Sequence, residues 1–587
     1  MRWLTISQLL STITLCLCQI SQQREYDIII VGGGVAGLVL ADKLSEDPSN
    51  LTILLLEAGP DPGDDESITT PVFAQQLWGS RYSWNFTEVP QAALGGATPS
   101  LDQGHVLGGG SAINVMAYCR GAKSVFDEWA AVAGLPLLAW DRLVGKFRAS
   151  ANLFVPDPLP YRQPIDRSVY SEDGPVFVSY ERPDRLSQLE PDFWNAWLND
   201  PRQPAVEADL TSGAGIGLVK GGPHAVRNSN GTRSYAWLAY GSRAAGKPNV
   251  NILHSSRVVK INFDESGSEA PRAVGVDYVS SDGDIATAVA AKEVVVSAGA
   301  INSPRLLLLS GIGPQDHLEQ VGVRVVKDSP EVGSNLFDHH RLVNVMQVPP
   351  EIITAASLSN ETLLAAFEEQ YEKTGGGPLS QPGPQSSTFL TERIPDDILR
   401  SFEPEANVSF HLSLPKDRPF LAYQYAGSSF LPQFADLNAV TAFVALVQPE
   451  ASGTVRLNSS NWRDDPLIDS NYYGSSADKA IIRYGFERLL NITRSEALSR
   501  VNTGELFPGP NLTLDDVFRQ GAQSYHHPVG TVSMGKVLDS EFRVKGVDGL
   551  RVIDSSTIPV ITTCHLQSSV YALAGTAAEI IKAGFKS

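Results

Sequence analysis

An uninterrupted apolar run opens the patterned part of the chain. Ile28, Ile29, Ile30 and Val31 follow Asp27, which reads as a parallel strand buried on both faces. Gly32, Gly34 and Gly37 come next at GxGxxG spacing, with Val35 and Ala36 between the last two, and residues 38–44 switch to a helical period. A second apolar run, 52–56, ends at Glu57. Strand, glycine turn, helix and a second strand with an acidic end make a complete βαβ dinucleotide fingerprint. The first glycine turns the chain tightly. The second lets backbone N–H groups approach a pyrophosphate, and the third lets helix and strand pack closely. The helix N-terminus adds partial positive charge for the phosphates. Glu57 is placed to accept from a ribose hydroxyl and would repel a 2′-phosphate, which argues against NADP. The fingerprint alone leaves NAD and FAD equally open.

Farther along, residues 60–71 are an acidic, proline-rich loop, and residues 104–121 form a second glycine-rich segment. Residues 126–152 carry a helical pattern, with Trp129 and Trp140 as core candidates, and residues 153–225 are proline-rich and irregular. Short β-type segments return over 250–296, ending in the run Val294-Val295-Val296 before a tight turn and a helix that Gly311-Ile312-Gly313-Pro314 closes. Helical periods recur near 362–372 and 478–492. The end of the chain returns to β at 550–554, then to a helix over about 568–584. Dinucleotide-fold character at both ends and not in the middle predicts one cofactor domain in discontinuous pieces with an inserted second domain. No internal repeat or low-complexity tract is present.

Composition narrows the function classes. A chain of 587 residues is too long for one ordinary core. It is 42% hydrophobic and 19% charged, with a formal charge of −19. No basic run is long enough to track phosphates, so nucleic acid and anionic membrane surfaces are not expected partners. Arg2 and the apolar stretch 9–17 predict a secretory signal over residues 1–21, too short to span a bilayer. Eight sequons agree with export: Asn50, Asn85, Asn230, Asn360, Asn407, Asn458, Asn491 and Asn511. Asn50 borders an expected buried strand and is the one least suited to glycosylation. Cys16 and Cys18 lie in the signal, leaving Cys119 and Cys564. They offer no metal spacing, and free buried thiols are expected, with a Cys119–Cys564 bridge as the alternative.

Candidate chemistry sits near the C-terminus. The chain has ten histidines, and three stand in two loop-like clusters. One is Ser524-Tyr525-His526-His527-Pro528-Val529-Gly530-Thr531, and the other is Thr562-Thr563-Cys564-His565-Leu566-Gln567. Two imidazoles at one carbon suit alcohol oxidation: one takes the hydroxyl proton, the other holds the forming alkoxide, and the hydride must leave to a cofactor.

With these motifs in order, the chain resembles the glucose–methanol–choline (GMC) oxidoreductases, nearest the secreted aryl-alcohol oxidase-like branch and its secondary-metabolite dehydrogenases. The resemblance runs from Tyr26 to about Ala583. It is carried by the Gly32–Glu57 unit, the 104–121 segment, the Ser297-Ala298-Gly299-Ala300 turn, the Asp338-His339 motif, Gly453-Thr454-Val455-Arg456-Leu457 and both histidine clusters. It implies an α/β fold with a Rossmann-type FAD-binding domain from segments 22–152, 226–344 and 521–587. It also implies an α+β substrate domain, 153–225 and 345–520, with an antiparallel sheet flanked by helices. It implies FAD, with pyrophosphate at Gly32–Gly37, ribose at Glu57 and Ala58, the adenine side at Val258, and flavin along Asn114, Val115, Met116 and Ala117. Ser555, Leu566 and Gln567 would close over the ring system. Ile113 stands where some members attach FAD through histidine, so the flavin is expected to be non-covalent. His527 matches the family's catalytic base and His565 its second active-site histidine. The expected reaction is oxidation of a primary alcohol, aryl or polyketide-derived, to an aldehyde or lactone, with O2 or a quinone taking the electrons. The expected assembly is a monomer or homodimer.

Three departures stand out. Gly110 replaces a common Ser or Thr, Val115 replaces a common Gly, and His526 stands where aryl-alcohol oxidases carry an aromatic residue. They keep open a second class, a lyase or cyclase retaining FAD as structure. His526 is read as a solvated or structural neighbour, and His339 and His340 as structural.

Overall fold

The computed structural model describes residues 25–267, 270–381 and 388–586. The expected signal, with Cys16 and Cys18, lies outside the described residues. The glycine-turn unit forms as its pattern dictates: strand Glu25–Val31, helix Val35–Ser45 and strand Ile53–Leu56. Both strands are buried runs, and strand Val250–Leu253 pairs parallel beyond the second. On the other side, Glu25–Val31 pairs in parallel with Ile285–Val296. That long strand serves two neighbours. Its first half forms an antiparallel pair with Arg272–Val279, and its end pairs in parallel with Leu550–Val552. The parallel part therefore draws on strands more than 500 residues apart in sequence, with Gly32 at the carboxyl edge. Open parallel sheets bind ligands at that edge.

A second seven-stranded sheet is antiparallel in every pairing. Its main path runs Gly504–Phe507, His340–Gln347, Ala439–Leu446, Leu421–Ala426, Phe389–Glu392, Gly217–Val219, and Ala522–Ser524 also pairs with His340–Gln347. The expected domain boundary at 344/345 falls inside the strand His340–Gln347, and residues 522–524 belong to this sheet. The chain thus passes between units within continuous β-structure. The histidine cluster at 526–527 follows directly from a strand of the second sheet.

Helix Gln567–Lys586 packs on Val35–Ser45 and on Trp140–Ser150. The helical pattern at 126–152 resolves into two helices, Lys123–Ala133 and Trp140–Ser150. Gly134 breaks them apart in a left-handed cap at φ 61°, the conformation glycine adopts without steric cost. Two large apolar cores result, one around each sheet. Among the described residues no helix is long and apolar enough to cross a membrane.

One expectation is corrected. Cys119 and Cys564 are not free thiols: they form a disulfide, with Cα atoms 6.0 Å apart across 445 residues. Sequence spacing carried no sign of it, because only the closed fold brings the 104–121 segment against the loop before the last helix. Asn50 borders the buried strand Ile53–Leu56, as expected, but its own side chain is exposed, and the other seven sequon asparagines are exposed too.

Candidate active site

One cavity extends from the glycine turn to the histidine clusters. Gly32, Gly34, Val35, Ala36, Glu57, Ala58, Val258 and Ser555 line it at the first sheet. Asn114, Val115, Met116, Ala117, Leu566, Gln567, His527 and His565 line its middle. Gly37 does not reach the cavity. A Cβ there would meet the Gly32 carbonyl oxygen at 2.0 Å, so its role is close packing. Gly34 is the opposite case: a Cβ would meet only the Gly109 Cα, at 3.9 Å, on an otherwise open side.

Glu57 is nearly fully buried. Its two carboxylate oxygens accept from the N–H groups of Gly33 and Gly59, each at 2.7 Å. Burial pushes its pKa up to about 7, against the pull of these backbone donors. In the flavin-side segment, Asn114 Oδ1 accepts from Met116 N–H at 2.9 Å, and Met116 sits at φ 61°. This non-glycine left-handed residue holds the turn that sets residues 114–117 along the cavity. Gln567 Nε2 donates to the Ala117 carbonyl at 2.7 Å. Its Oε1, and Ser297 Oγ on the same cavity, are buried without a hydrogen-bond partner. The open glycine side, the N-terminus of helix Val35–Ser45 with no acidic residue in its first turn, and these unpaired polar atoms fit a dinucleotide with a polar ring system.

The histidines form a directed chain. His339 Nε2 lies 2.9 Å from the Thr562 carbonyl, and His339 Nδ1 lies 2.9 Å from His527 Nδ1. His527 Nε2 is 3.3 Å from His565 Nδ1. A carbonyl can only accept, so a neutral His339 carries its proton on Nε2 and presents a bare Nδ1. His527 must then donate from Nδ1, which leaves Nε2 as a lone pair. His565 can donate Nδ1–H toward it, while Tyr525 Oη, which donates to Gln424, presents a lone pair to His565 Nε2 at 3.5 Å. The backbone carbonyl thus fixes the tautomers of His339 and His527.

The rings are held neutral. Burial, followed by the charges of His339, His565, His526 and Arg341, keeps His527 well below the ordinary histidine value. Burial lowers His565 to about 3 and His339 to about 4. Asp338 anchors the backbone. One of its oxygens accepts from both the His339 and the His527 N–H at 2.8 Å, and the other from Ser524 Oγ. The disulfide fixes the facing loop: His565 N–H donates to Cys119 Sγ at 3.3 Å. Cys119 follows the flavin-side segment by two residues, so the bridge ties that segment to the second histidine.

Several site residues escaped the sequence reading. His339 is a member of the chain rather than a structural bystander, whereas His340 stacks on Tyr472 with ring centroids 3.7 Å apart and stays structural. His526 is not a solvated neighbour. Its ring lines the cavity 5.1 Å from the Trp78 ring, with φ 59° and a hydrogen bond from Asp102 N–H to Nδ1 at 3.3 Å. Trp78, Arg341, Gln424, Phe430, Phe443 and Tyr525 complete the wall beyond the histidines. The Asp338-His339 motif was visible in sequence, but its aim at His527 was not.

Comparison with known proteins agrees with this architecture. Models of the GMC oxidoreductase family match residues 26–341 and 449–574. The chain is 32% identical to a pyranose dehydrogenase of Agaricus xanthodermus, over 96% of this chain and 93% of that protein. It is 30% identical to versicolorin B synthase of Aspergillus parasiticus, over 96% of this chain and 89% of that protein. A crystal structure of formate oxidase superposes with a TM-score of 0.85 at 28% identity, covering 96% of this chain and 99% of that one. The chain belongs to the GMC oxidoreductases and is an FAD-dependent oxidoreductase acting on CH–OH donors.

Proposed function

We propose that the protein oxidises a primary alcohol to the aldehyde, with His527 as base and His565 as hydrogen-bond donor to the same oxygen. The observation that carries this reading is the tautomer chain from the Thr562 carbonyl, which leaves an acceptor on His527 Nε2 facing His565 Nδ1. An alcohol oxygen that displaces this 3.3 Å contact finds a lone pair on His527 for its proton and, from the Nδ1–H form of His565, a donor for the negative charge left behind. Burial keeps both rings neutral, so the base is ready at neutral pH and below. FAD, when bound, accepts the hydride from the carbinol carbon at the flavin ring. Gly32, Gly34 and the helix after them would hold its pyrophosphate, and Glu57 its ribose. Residues 114–117 with Ser555, Leu566 and Gln567 would hold the flavin. Ile113 offers no nucleophile for covalent attachment, which supports a dissociable cofactor. O2 or a quinone would serve as the final electron acceptor.

The exposed sequons and the disulfide support a secretory route, since disulfides persist in oxidising compartments. The test is anaerobic addition of a panel of primary alcohols to the FAD-bound protein. Bleaching of the flavin band by an alcohol, with aldehyde formed in equal amount, is expected. Turnover without bleaching would mean acid–base chemistry alone and would overturn the reading.

A further inference from the structure

The wall beyond the histidines holds a cation without a counter-ion. Arg341 lies on the strand His340–Gln347, is 4% exposed and lines the cavity. Among the described residues its guanidinium makes no ion pair and no hydrogen bond, and its Nε is buried without a partner. Three rings surround it instead. Its Cζ is 4.4 Å from the Phe430 ring centroid, 5.1 Å from Phe443 and 5.4 Å from Tyr525. Asp338, the carboxylate whose field it feels, is already committed to Ser524 and two backbone N–H groups.

Cation–π contacts offset part of the cost of burying this charge. They leave the buried Nε–H without an acceptor and the fork without a counter-ion, and a buried, unpaired charge costs several kcal/mol. Burial lowers the Arg341 pKa only to about 10, so it stays charged at neutral pH. Such a group is retained against its cost where an anion completes it. Tyr525 neighbours both the fork and the base: its ring centroid is 5.4 Å from Arg341 Cζ and 4.7 Å from the His527 ring centroid. An anion on Arg341 and a carbinol at His527 are therefore close enough for one substituted benzene ring to bridge them. Trp78, Phe430 and Phe443 supply apolar faces for such a skeleton.

We propose that Arg341 is the specificity-determining residue of this cavity, and that the substrate is an alcohol bearing a carboxylate on an aromatic skeleton. This deepens the alcohol reading of the same site. The first experiment does not depend on turnover. Benzoate and uncharged benzamide are titrated into the FAD-bound protein and followed by perturbation of the flavin spectrum. Benzoate is expected to bind about tenfold or more tightly than benzamide, the worth of a charge-assisted fork contact. Arg341→Met should erase the difference and Arg341→Lys should keep part of it. The second experiment compares kcat/KM for 4-(hydroxymethyl)benzoate and 4-methylbenzyl alcohol. Their ratio should favour the acid in the wild type and fall toward one in Arg341→Met.

Equal binding of benzoate and benzamide by the wild type would overturn the proposal without any variant. So would a Met variant that keeps the preference. A loss that is equal for both alcohols would overturn it too, because it would mean that Arg341 serves the charge of the reduced cofactor. If no alcohol bleaches the flavin while benzoate still binds through Arg341, the alcohol reading fails and the anion site stands.

Discussion

Removing His339 tests the tautomer chain most sharply, because this residue does not line the substrate wall. In His339→Ala the His527 Nδ1–H loses an acceptor 2.9 Å away in a buried setting. An orphaned buried donor costs about 1–3 kcal/mol. His527 can escape that cost by moving its proton to Nε2, which removes the lone pair that the alcohol needs. If this cost falls on the reactive tautomer, flavin reduction slows about 5- to 150-fold, at 1.36 kcal/mol per decade. The assay is stopped-flow bleaching under anaerobic conditions with saturating alcohol, which reads the rate of reduction apart from substrate binding. The loss should appear in that rate, with apparent substrate affinity little changed. His339→Asn, whose side-chain oxygen can accept from Nδ1–H, should recover part of the rate. A His339→Ala protein that holds FAD and reduces it at the wild-type rate would refute the reasoning, since the base would then not need its tautomer fixed.

Other expectations follow from the same geometry. Replacing Cys119 and Cys564 together by serine should lower stability by roughly 2–4 kcal/mol, seen as a lower Tm, and should reduce kcat because the 114–117 segment and His565 lose their tie. Gly34→Val should fold but bind less FAD, read from the flavin-to-protein absorbance ratio, because its side chain would enter the open side of the turn. The pH dependence of Tm has a definite sign. Glu57 and Asp338 are raised to about 7 and Glu88 to about 8 in the fold, so the stability they contribute is present at low pH and is lost as pH rises through 7–8. His339, His340, His411, His526 and His565 are lowered to about 3–4, so their contribution is present above about 6.5 and is lost as pH falls below it. Thermal melts should therefore show a maximum near pH 6, and a Tm that rises steadily to pH 9 would contradict these burial shifts.

The sequence disclosed what local pattern can encode. The glycine turn, the buried run before it and the acidic end of the next strand are contiguous, so period and spacing were enough to predict a βαβ unit. The two histidine clusters were visible for a similar reason: their loop-forming neighbours and short spacing mark them. What stayed hidden depends on closure of the whole chain. The disulfide joins residues 445 positions apart, and nothing near either cysteine encodes the other. His339 reads as one histidine after an aspartate; its function comes from the Thr562 carbonyl and the His527 ring meeting it from distant segments. Arg341 lies two residues farther on, in the strand His340–Gln347, and alternation alone could not say that its face looks into a cavity rather than solvent. The antiparallel sheet of the second domain was expected from the family resemblance alone, because its strands are spread over residues 217–524 with no local pattern that places them.

The central claim is that His527 takes the alcohol proton while hydride leaves for the flavin. Its most direct test is single-turnover bleaching by His527→Ala, compared with the wild type at equal FAD content. The account predicts that the variant keeps its flavin band and that reduction slows by about 10²- to 10⁴-fold, the usual contribution of a positioned base. Bleaching at the wild-type rate in a folded, FAD-bound His527→Ala protein would contradict it.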